Sequence, residues 1–595
     1  TQQLIRATFL TREPSVSREL KEIILAFWAE RIYNKDQILE MYLNFVPYGG
    51  TAWGVEAAAK TYFDKKAKDL TLAETALLAG LPEAPTTNSP FGAYPDLAKK
   101  RQEAVLLEME REGYITAKER DKAKKETLNY KKLSNNIKAP HFVLYVKDLL
   151  VEKYGIEKVE QGGLKVKTTL DLDIQEYAQA SVAAEIASLK GYHVTNGAAM
   201  VANPGTGEII AMVGSKDYFD TTIDGNVNIT VAQRQPGSSI KPINYTVGLL
   251  KGYTAATPFI DNKICFPNQG GQNYCPVNYD STFHGLMSMR YALGNSINIP
   301  AVKMLKLNGL DAMIATASAM GISTFTKPDR YGLSLTLGGG EVTMVDMVQA
   351  YGVLANGGYK VNLTPILKVT DSRGKILEEY KPPKSPIFGK KVLPEGVSFI
   401  MSDILSDNGA RVMAFGENSQ LKIPGKVVSA KTGTTNDYRD NWTFGYTPSY
   451  VVGAWVGNND NSPMGYLASG ITGAAPIWHD IMAYLLKDKP AEYYYRPPNV
   501  IQKAVCQTTG LAQNENNACQ TRLEYFIKGT ENTLARYLPE KQNIYVNKDT
   551  KNPPLPGVAD TNVELKEESV VKDALGENFC LSCPQPTPAP SPSPH

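Results

Sequence analysis

The sequence predicts a multidomain protein: a mainly α-helical N-terminal part, then an α+β domain with helices packed around a mainly antiparallel sheet. Three observations predict it. The chain has 595 residues, a length suited to about three or four domains. Residues 1–130 read as one amphipathic helical stretch after another. Between 197 and 490, strand-like runs stand before and after a block of helices, the pattern of an α+β layer architecture.

In the N-terminal part, residues 22–42 set Ile24, Leu25, Phe27, Trp28, Ile32, Ile38, Leu39 and Tyr42 apart from charges on other faces. Residues 54–62, 72–81 and 96–109 repeat the pattern. Residues 131–196 read as a connector. Ala139-Pro140-His141-Phe142 opens a helix, Gly162-Gly163 breaks it, 164–169 alternates as a strand, and 173–189 is helical again before a Gly191/Gly197 hinge. His141 reads as a buried or capping histidine, not a catalyst. From 197 on, 198–202 and 209–213 flank Asn203-Pro204-Gly205-Thr206-Gly207 as a hairpin that starts a sheet. Residues 287–293, 343–355, 397–405 and 476–486 read as helices, and 427–430, 442–446 and 451–456 as strands. Arg496-Pro497-Pro498 is a linker, 491–583 a polar, turn-rich appendage with four cysteines, and 584–595 a polyproline-like, disordered tail.

Composition excludes some functions. With 63 basic against 61 acidic residues and a net charge of +2, the chain has no polyanion-binding footprint, and nucleic acid is not expected as a partner. No run of about 20 apolar residues appears, so nothing here spans a membrane as a helix. The cysteines come as Cys265/Cys275, Cys506/Cys519 and Cys580/Cys583. That spacing suits disulfides in an oxidising exterior. A zinc site from the last four is the alternative; a single C-x-x-C and no nearby histidine argue against it.

The chemistry gathers around residues 235–245. A Pro236-Gly237 turn ends at Ser238, an apolar run follows, and Lys241 comes three residues on, so helical spacing stacks its ammonium against the hydroxyl. A serine needs a base within hydrogen-bond reach to become a nucleophile, and a lysine can serve. Alone the pair is weak, because roughly two or three S-x-x-K matches arise by chance at this length. Ser372/Lys375 spans a hairpin turn at Gly374, and Ser419/Lys422 runs into Pro424-Gly425, so neither opens a helix. Two further elements support Ser238. Ser296-Ile297-Asn298 falls in a tight inter-helix loop before Pro300. Lys431-Thr432-Gly433-Thr434 follows Val427-Val428, the mark of a strand. Ser406-Asp407-Asn408 lies too close to Lys431 and reads as a helix end capped by Gly409.

S-x-x-K, S-x-N and K-T-G in this order form the signature of serine penicillin-recognising enzymes, and the chain resembles the class A (bifunctional) penicillin-binding proteins. The likeness covers roughly residues 1–490. It includes Thr1-Gln2-Gln3-Leu4, the Arg18–Glu22 segment, 35–44, 54–59 and 76–82 of a lysozyme-like glycosyltransferase, and 163–171 of the inter-domain region. It implies a glycosyltransferase domain at 1–130, a connector at 131–196 and a serine β-lactamase-like transpeptidase domain at 197–490.

The resemblance implies that Ser238 attacks a D-alanyl-D-alanine stem peptide, with Lys241 as base and Ser296 as proton relay. Asn298 would hold the substrate amide. Lys431, Thr432, Gly433 and Thr434 would grip the terminal carboxylate, and the backbone amides of Ser238 and Thr434 would form the oxyanion hole. A three-unit fall in the Lys241 pKa, equivalent to about 4 kcal/mol, is then required, from desolvation and repulsion by Lys431. Glu22 is implied on the pyrophosphate side of glycosyl transfer, in a segment where Glu19 replaces the family's usual lysine. Without the match, Arg18 and Glu22 would be an ordinary i,i+4 pair.

Peptidoglycan stem peptides and a lipid-linked disaccharide are the implied substrates, with β-lactams as covalent inhibitors. No cofactor is implied for acyl transfer; a divalent metal is allowed for glycosyl transfer. Thr1-Gln2-Gln3-Leu4 resembles the end of the family's G-G-S-T-I-T-Q-Q-L motif. The first catalytic carboxylate and an anchor to the outer face of the cytoplasmic membrane are therefore expected upstream of the chain. A carboxypeptidase or β-lactamase on the same scaffold is the rival reading, and a non-catalytic β-lactam sensor or wall-binding scaffold a more distant one.

Overall fold

The computed structural model describes residues 1–9, 16–49, 52–85, 88–90, 95–131, 137–267, 271–385, 389–465, 472–513, 519–554 and 560–584. The tail predicted at 584–595 lies, after Pro584, outside the described residues. The chain divides into two compact units, Thr1–Lys138 and Ala139–His595.

The first unit is helical, as its periodicity predicts. Helices run over Gln2–Phe9, Val16–Ile32, Lys35–Phe45, Val55–Phe63, Leu72–Gly80, Pro95–Arg111 and Ala117–Lys125. Three of them begin with a reciprocal capping box, Asn34/Gln37, Thr71/Glu74 and Thr116/Glu119, which satisfies amide donors that a helix start leaves unpaired. Residues 22–42 are two helices, because Asn34 caps the second. Tyr48, Ala58, Ala59, Tyr62, Leu77, Leu78 and Leu81 form its core. No helix among the described residues is long and apolar enough to cross a membrane.

The second unit is built on a five-stranded antiparallel sheet. Its spatial order is Ser429–Thr434, Asp440–Tyr446, Val451–Gly457, Asn196–Ala202 and Ile209–Val213. Both faces are covered, and the period-2 alternation of a strand sorts the side chains. Ala198, Met200, Ala202, Trp442, Phe444 and Tyr446 join one core, with the helices Lys241–Leu250, Met344–Ala355 and Glu395–Ser406. Ala199, Val201, Val452, Ala454 and Val456 join the other, with Leu172–Ser188 and Ala474–Leu486. His141, at the start of Pro140–Tyr154, is buried with Nε2 donating to the Gly225 carbonyl at 2.9 Å. Burial pushes its pKa down to about 4, which keeps the ring neutral.

Three local expectations shift. The run 287–293 begins as a strand, Gly285–Ser288, paired with Pro258–Asp261, and turns helical only at Met289, where the Ser288 hydroxyl caps Tyr291. Val427-Val428 is not a strand; the strand starts at Ser429 and contains Lys431-Thr432-Gly433-Thr434 itself. Ser238 sits in a 3₁₀ turn, Gly237–Ile240, and the α-helix opens at Lys241. The helix Glu395–Ser406 ends at Ser406, as read from sequence, but its C-cap is Asp407 and not Gly409, which instead opens a 3₁₀ turn, Gly409–Arg411. Ser372 lies in the turn joining Ile366–Thr370 to Ile376–Glu379.

All six cysteines are paired, Cys265–Cys275, Cys506–Cys519 and Cys580–Cys583. The C-terminal stretch is not a loose appendage. A hairpin, Val500–Cys506 with Thr521–Ile527, and a three-stranded sheet, Glu540–Asn547, Val563–Lys572 and Asn578–Cys580, dock on the residues before them. Ile260, Leu286, Cys506, Leu511 and Val571 share one core.

Candidate active site

The edge strand Ser429–Thr434 and the turn Gly237–Ile240 approach more closely than side chains allow. A Cβ on Gly433 would lie 2.3 Å from the Pro236 carbonyl oxygen, and one on Gly237 2.5 Å from that of Thr434. Gly237 also sits at φ 55°, in the left-handed region that favours glycine. The turn is pinned from two more sides. Trp442 Nε1 donates to the Gln235 carbonyl at 2.9 Å, and the Tyr351 hydroxyl to that of Ser239 at 2.7 Å. Ser238 is half-buried at its tip, and its hydroxyl makes no hydrogen bond among the described residues. The neighbouring Ser239 hydroxyl is buried and donates to the Pro236 carbonyl at 2.7 Å.

Lys241 is fully buried. Its ammonium donates to the Ser296 carbonyl at 2.6 Å, Asn298 Oδ1 at 2.7 Å and the Ile297 carbonyl at 3.2 Å. Lys431 reaches the same loop from the strand and donates to Ser296 Oγ at 2.7 Å and to the Thr432 carbonyl at 3.0 Å. Ser296 thus receives one ammonium on its carbonyl and the other on its hydroxyl. It does so at φ 61°, a left-handed conformation that costs a non-glycine residue roughly 1–2 kcal/mol. Burial and the Lys431 charge hold the Lys241 pKa well below the ordinary lysine value, against a smaller opposing pull from Asp261. Burial, helped by the Arg411 guanidinium, brings Lys431 down to about 7. The ordinary value falls for both because charge without water or a carboxylate partner is costly.

Asn298 opens the helix Asn298–Asn308. Its Oδ1 is taken by Lys241, its Nδ2 donates to the Val277 carbonyl at 2.8 Å, and its N–H donates to Asn278 Oδ1 at 3.0 Å. The amide thus orients Lys241, and one Nδ2–H is left for another acceptor. Thr432 is buried, and Thr434 Oγ1 accepts from Asn441 Nδ2 at 3.2 Å. Ser238, Lys241, Ser296, Asn298, Lys431, Thr432, Gly433 and Thr434 therefore belong to one neighbourhood.

Glu22 lies in the first unit, Thr1–Lys138. On the helix Val16–Ile32 it is buried while Lys21 and Ile23 beside it are exposed. The side chain of Arg18 lies outside the described residues. Among the described residues no group of three or more metal-ligating side chains gathers around Glu22. Glu568, Cys580 and Cys583 form such a group, but the two sulfurs are joined as a disulfide. Among the described residues, therefore, no such group stands at Glu22 for the divalent metal that the resemblance allows.

Several residues that shape the site carry no sequence motif. Asn278 is buried between the Asn298 amide and Asp261, to which its Nδ2 donates at 2.8 Å. Arg411, from a segment just after Ser406-Asp407-Asn408, adds to burial in lowering the Lys431 pKa. Each comes from a distant stretch, so no local spacing signals it.

Comparison with known proteins places these elements. Residues 1–110 match the family Transglycosylase, residues 197–483 the Penicillin binding protein transpeptidase domain, and residues 496–533 the Penicillin-binding protein 1A, C-terminal domain. The chain is 32% identical over 614 residues to Penicillin-binding protein 1A of Aquifex aeolicus, covering 89% of this chain and 82% of the relative. It is 33% identical over 546 residues to Penicillin-binding protein 2D of Bacillus subtilis, covering 89% and 76%. The crystal structure of Penicillin-Binding Protein 1A from Haemophilus influenzae superposes with a TM-score of 0.60 at 26% identity, covering 89% of this chain and 94% of that one.

Proposed function

We infer the chemistry of the site from one premise: the chain belongs to the class A penicillin-binding proteins, peptidoglycan synthases with a transglycosylase and a transpeptidase domain. Ser238 is the nucleophile of the transpeptidase. One observation carries this reading. Two ammonium groups with lowered pKa converge on Ser296 beside the half-buried Ser238 turn.

The Ser238 hydroxyl attacks the penultimate D-alanine carbonyl of a stem peptide, and neutral Lys241 takes its proton. The N–H groups of Ser238 and Thr434 hold the oxyanion, each worth about 3 kcal/mol in comparable sites. The contact between Gly237 and the Thr434 backbone supports that pairing. The carbon–nitrogen bond to the terminal D-alanine breaks. Ser296 gives its hydroxyl proton to the departing amine, and Lys431 restores it. An amine of a second stem then attacks the ester, its proton returns along the same chain, and Lys241 reprotonates Ser238. Lys431, when charged, grips the terminal carboxylate together with the Thr432 and Thr434 hydroxyls. The attached transglycosylase favours cross-linking over simple hydrolysis.

Glu22 serves the other reaction, elongation of glycan from a lipid-linked disaccharide, on the pyrophosphate side. Its burial between the exposed Lys21 and Ile23 supports a positioned carboxylate. Three disulfides suit an oxidising compartment, so the protein acts at the outer face of the cytoplasmic membrane.

Penicillin, a mimic of the stem terminus, should leave one adduct per chain. Digestion and mass mapping are expected to find it on the peptide containing Ser238. An adduct on the Ser296 peptide, or none, would overturn the assignment.

The lysines set the pH dependence. Acylation by the free enzyme needs Lys241 neutral, so the rate rises with pH through its lowered pKa. Binding the carboxylate needs Lys431 charged, so the second-order rate constant should fall along a limb centred near the Lys431 value of about 7. At saturating penicillin the bound carboxylate stabilises charged Lys431 and moves that limb to higher pH. Stopped-flow acylation across the neutral and alkaline range checks it, and a second-order rate still climbing well above neutrality would remove the Lys431 charge from the account.

A further inference from the structure

The loop Ser296–Asn298 hangs between two short helices, Met289–Gly294 and Asn298–Asn308. Each carries one fully buried cation that the reaction does not use, Arg290 and Lys303. Both cations are bound by carboxylates from beyond residue 500. Arg290 donates through Nε to Glu524 Oε2 at 2.6 Å and through an Nη to Glu524 Oε1 at 2.5 Å. Lys303 donates to Glu577 Oε2 at 2.6 Å and Asp573 Oδ2 at 3.0 Å.

We propose that the C-terminal region is a positioning element for the transpeptidase site: Glu524, with Asp573 and Glu577, sets the two helices that aim Ser296 and Asn298 at the lysines. The proposal rests on the reading that Ser296 and Asn298 serve acyl transfer.

Independent contacts join the same parts. The Ser288 N–H donates to the Thr508 carbonyl at 2.8 Å, Gln507 Nε2 donates to the Tyr291 hydroxyl at 3.0 Å, and the Ala574 N–H donates to the Pro258 carbonyl at 3.0 Å. The Cys506–Cys519 disulfide closes the hairpin that presents Glu524. Arg290 also meets Asp403 Oδ2 at 2.5 Å and Asp407 Oδ2 at 3.1 Å. The guanidinium therefore ties Glu524 to the helix Glu395–Ser406, which packs under the sheet. Arg522, from the same hairpin, reaches Asp407 at 2.7 Å. A forked guanidinium–carboxylate pair fixes direction as well as distance. The loop needs that direction, because its carbonyl and its hydroxyl must meet different ammonium groups. Misplacing reacting groups by about 1 Å can cost on the order of 100-fold in rate.

The test separates positioning from mere stability. In the full chain, Glu524→Gln keeps the shape of the pair and removes its charge. Penicillin acylation then yields three quantities: the fraction of chains labelled, the apparent Kd, and the rate constant of the bond-forming step. We expect that rate constant to fall about tenfold or more, with Kd changed far less and the labelled fraction near wild type. Glu577→Gln, at a side chain 30% exposed, is milder and folds even if Glu524→Gln does not; a several-fold fall is expected.

A purely structural role would lower the melting temperature or the labelled fraction and leave the rate constant of labelled chains at the wild-type value. That result in both variants, or in Glu577→Gln alone where Glu524→Gln fails to fold, overturns the proposal. Wild-type protein unlabelled at Ser238 would instead overturn the acyl-transfer reading.

Discussion

Ser238→Ala protein is expected to acquire no penicilloyl adduct and to lose peptide cross-linking by on the order of 10⁴–10⁶-fold, the range seen when a serine hydrolase loses a member of its catalytic triad. The loss should be this large because no neighbouring hydroxyl can substitute. Ser239 is buried and hydrogen-bonded to the Pro236 carbonyl, and the Ser296 hydroxyl is engaged by Lys431. Stability should barely move. The Ser238 hydroxyl is half-buried and leaves no partner orphaned, so a change within about 0.5 kcal/mol is expected. Intact mass after penicillin treatment and a thermal melt give the two readouts. An adduct that survives the substitution at its normal rate would remove Ser238 from the mechanism.

Lys241→Met has the second largest expected effect. Methionine keeps an unbranched chain in the same buried slot and deletes only the ammonium. Loss of a general base typically costs about 10²–10⁴-fold, and the acylation rate should fall by that amount with Ser238 still in place. Two observations point to Lys241 as the base. It follows the nucleophile by one helical turn, and burial beside Lys431 keeps its proton loosely held. The residual rate should also lose the rising limb of the pH profile, because the group that must deprotonate is gone. A variant that keeps both the rate and that limb would shift the role of base to another residue. Stability should fall by about 1–3 kcal/mol for each acceptor left without its donor, the Ser296 and Ile297 carbonyls and Asn298 Oδ1, offset in part because a costly buried charge is removed.

Much of the fold was legible along the chain. The helices of the first unit, the hairpin that starts the sheet, and the decoy motifs at Ser372 and Ser406 followed from periodicity and turn chemistry. The misjudged boundaries share one cause. Val427-Val428 is apolar enough for a strand, yet the ladder to Asp440–Tyr446 begins two residues later. Met287 fits a helical pattern, yet its backbone is claimed by Phe259 across a short sheet. In both places a partner distant in sequence overrides local preference.

By itself the sequence determined the family and the class of reaction, and singled out the groups proposed to react, because S-x-x-K, S-x-N and K-T-G are short spacings set by local backbone geometry. Tertiary structure alone decided which ammonium meets the Ser296 carbonyl and which its hydroxyl, how far burial weakens each lysine's hold on its proton, and that Arg290 finds its carboxylate at Glu524. Those outcomes depend on water excluded and charges gathered by segments that meet only after folding, and no spacing along the chain encodes such an encounter.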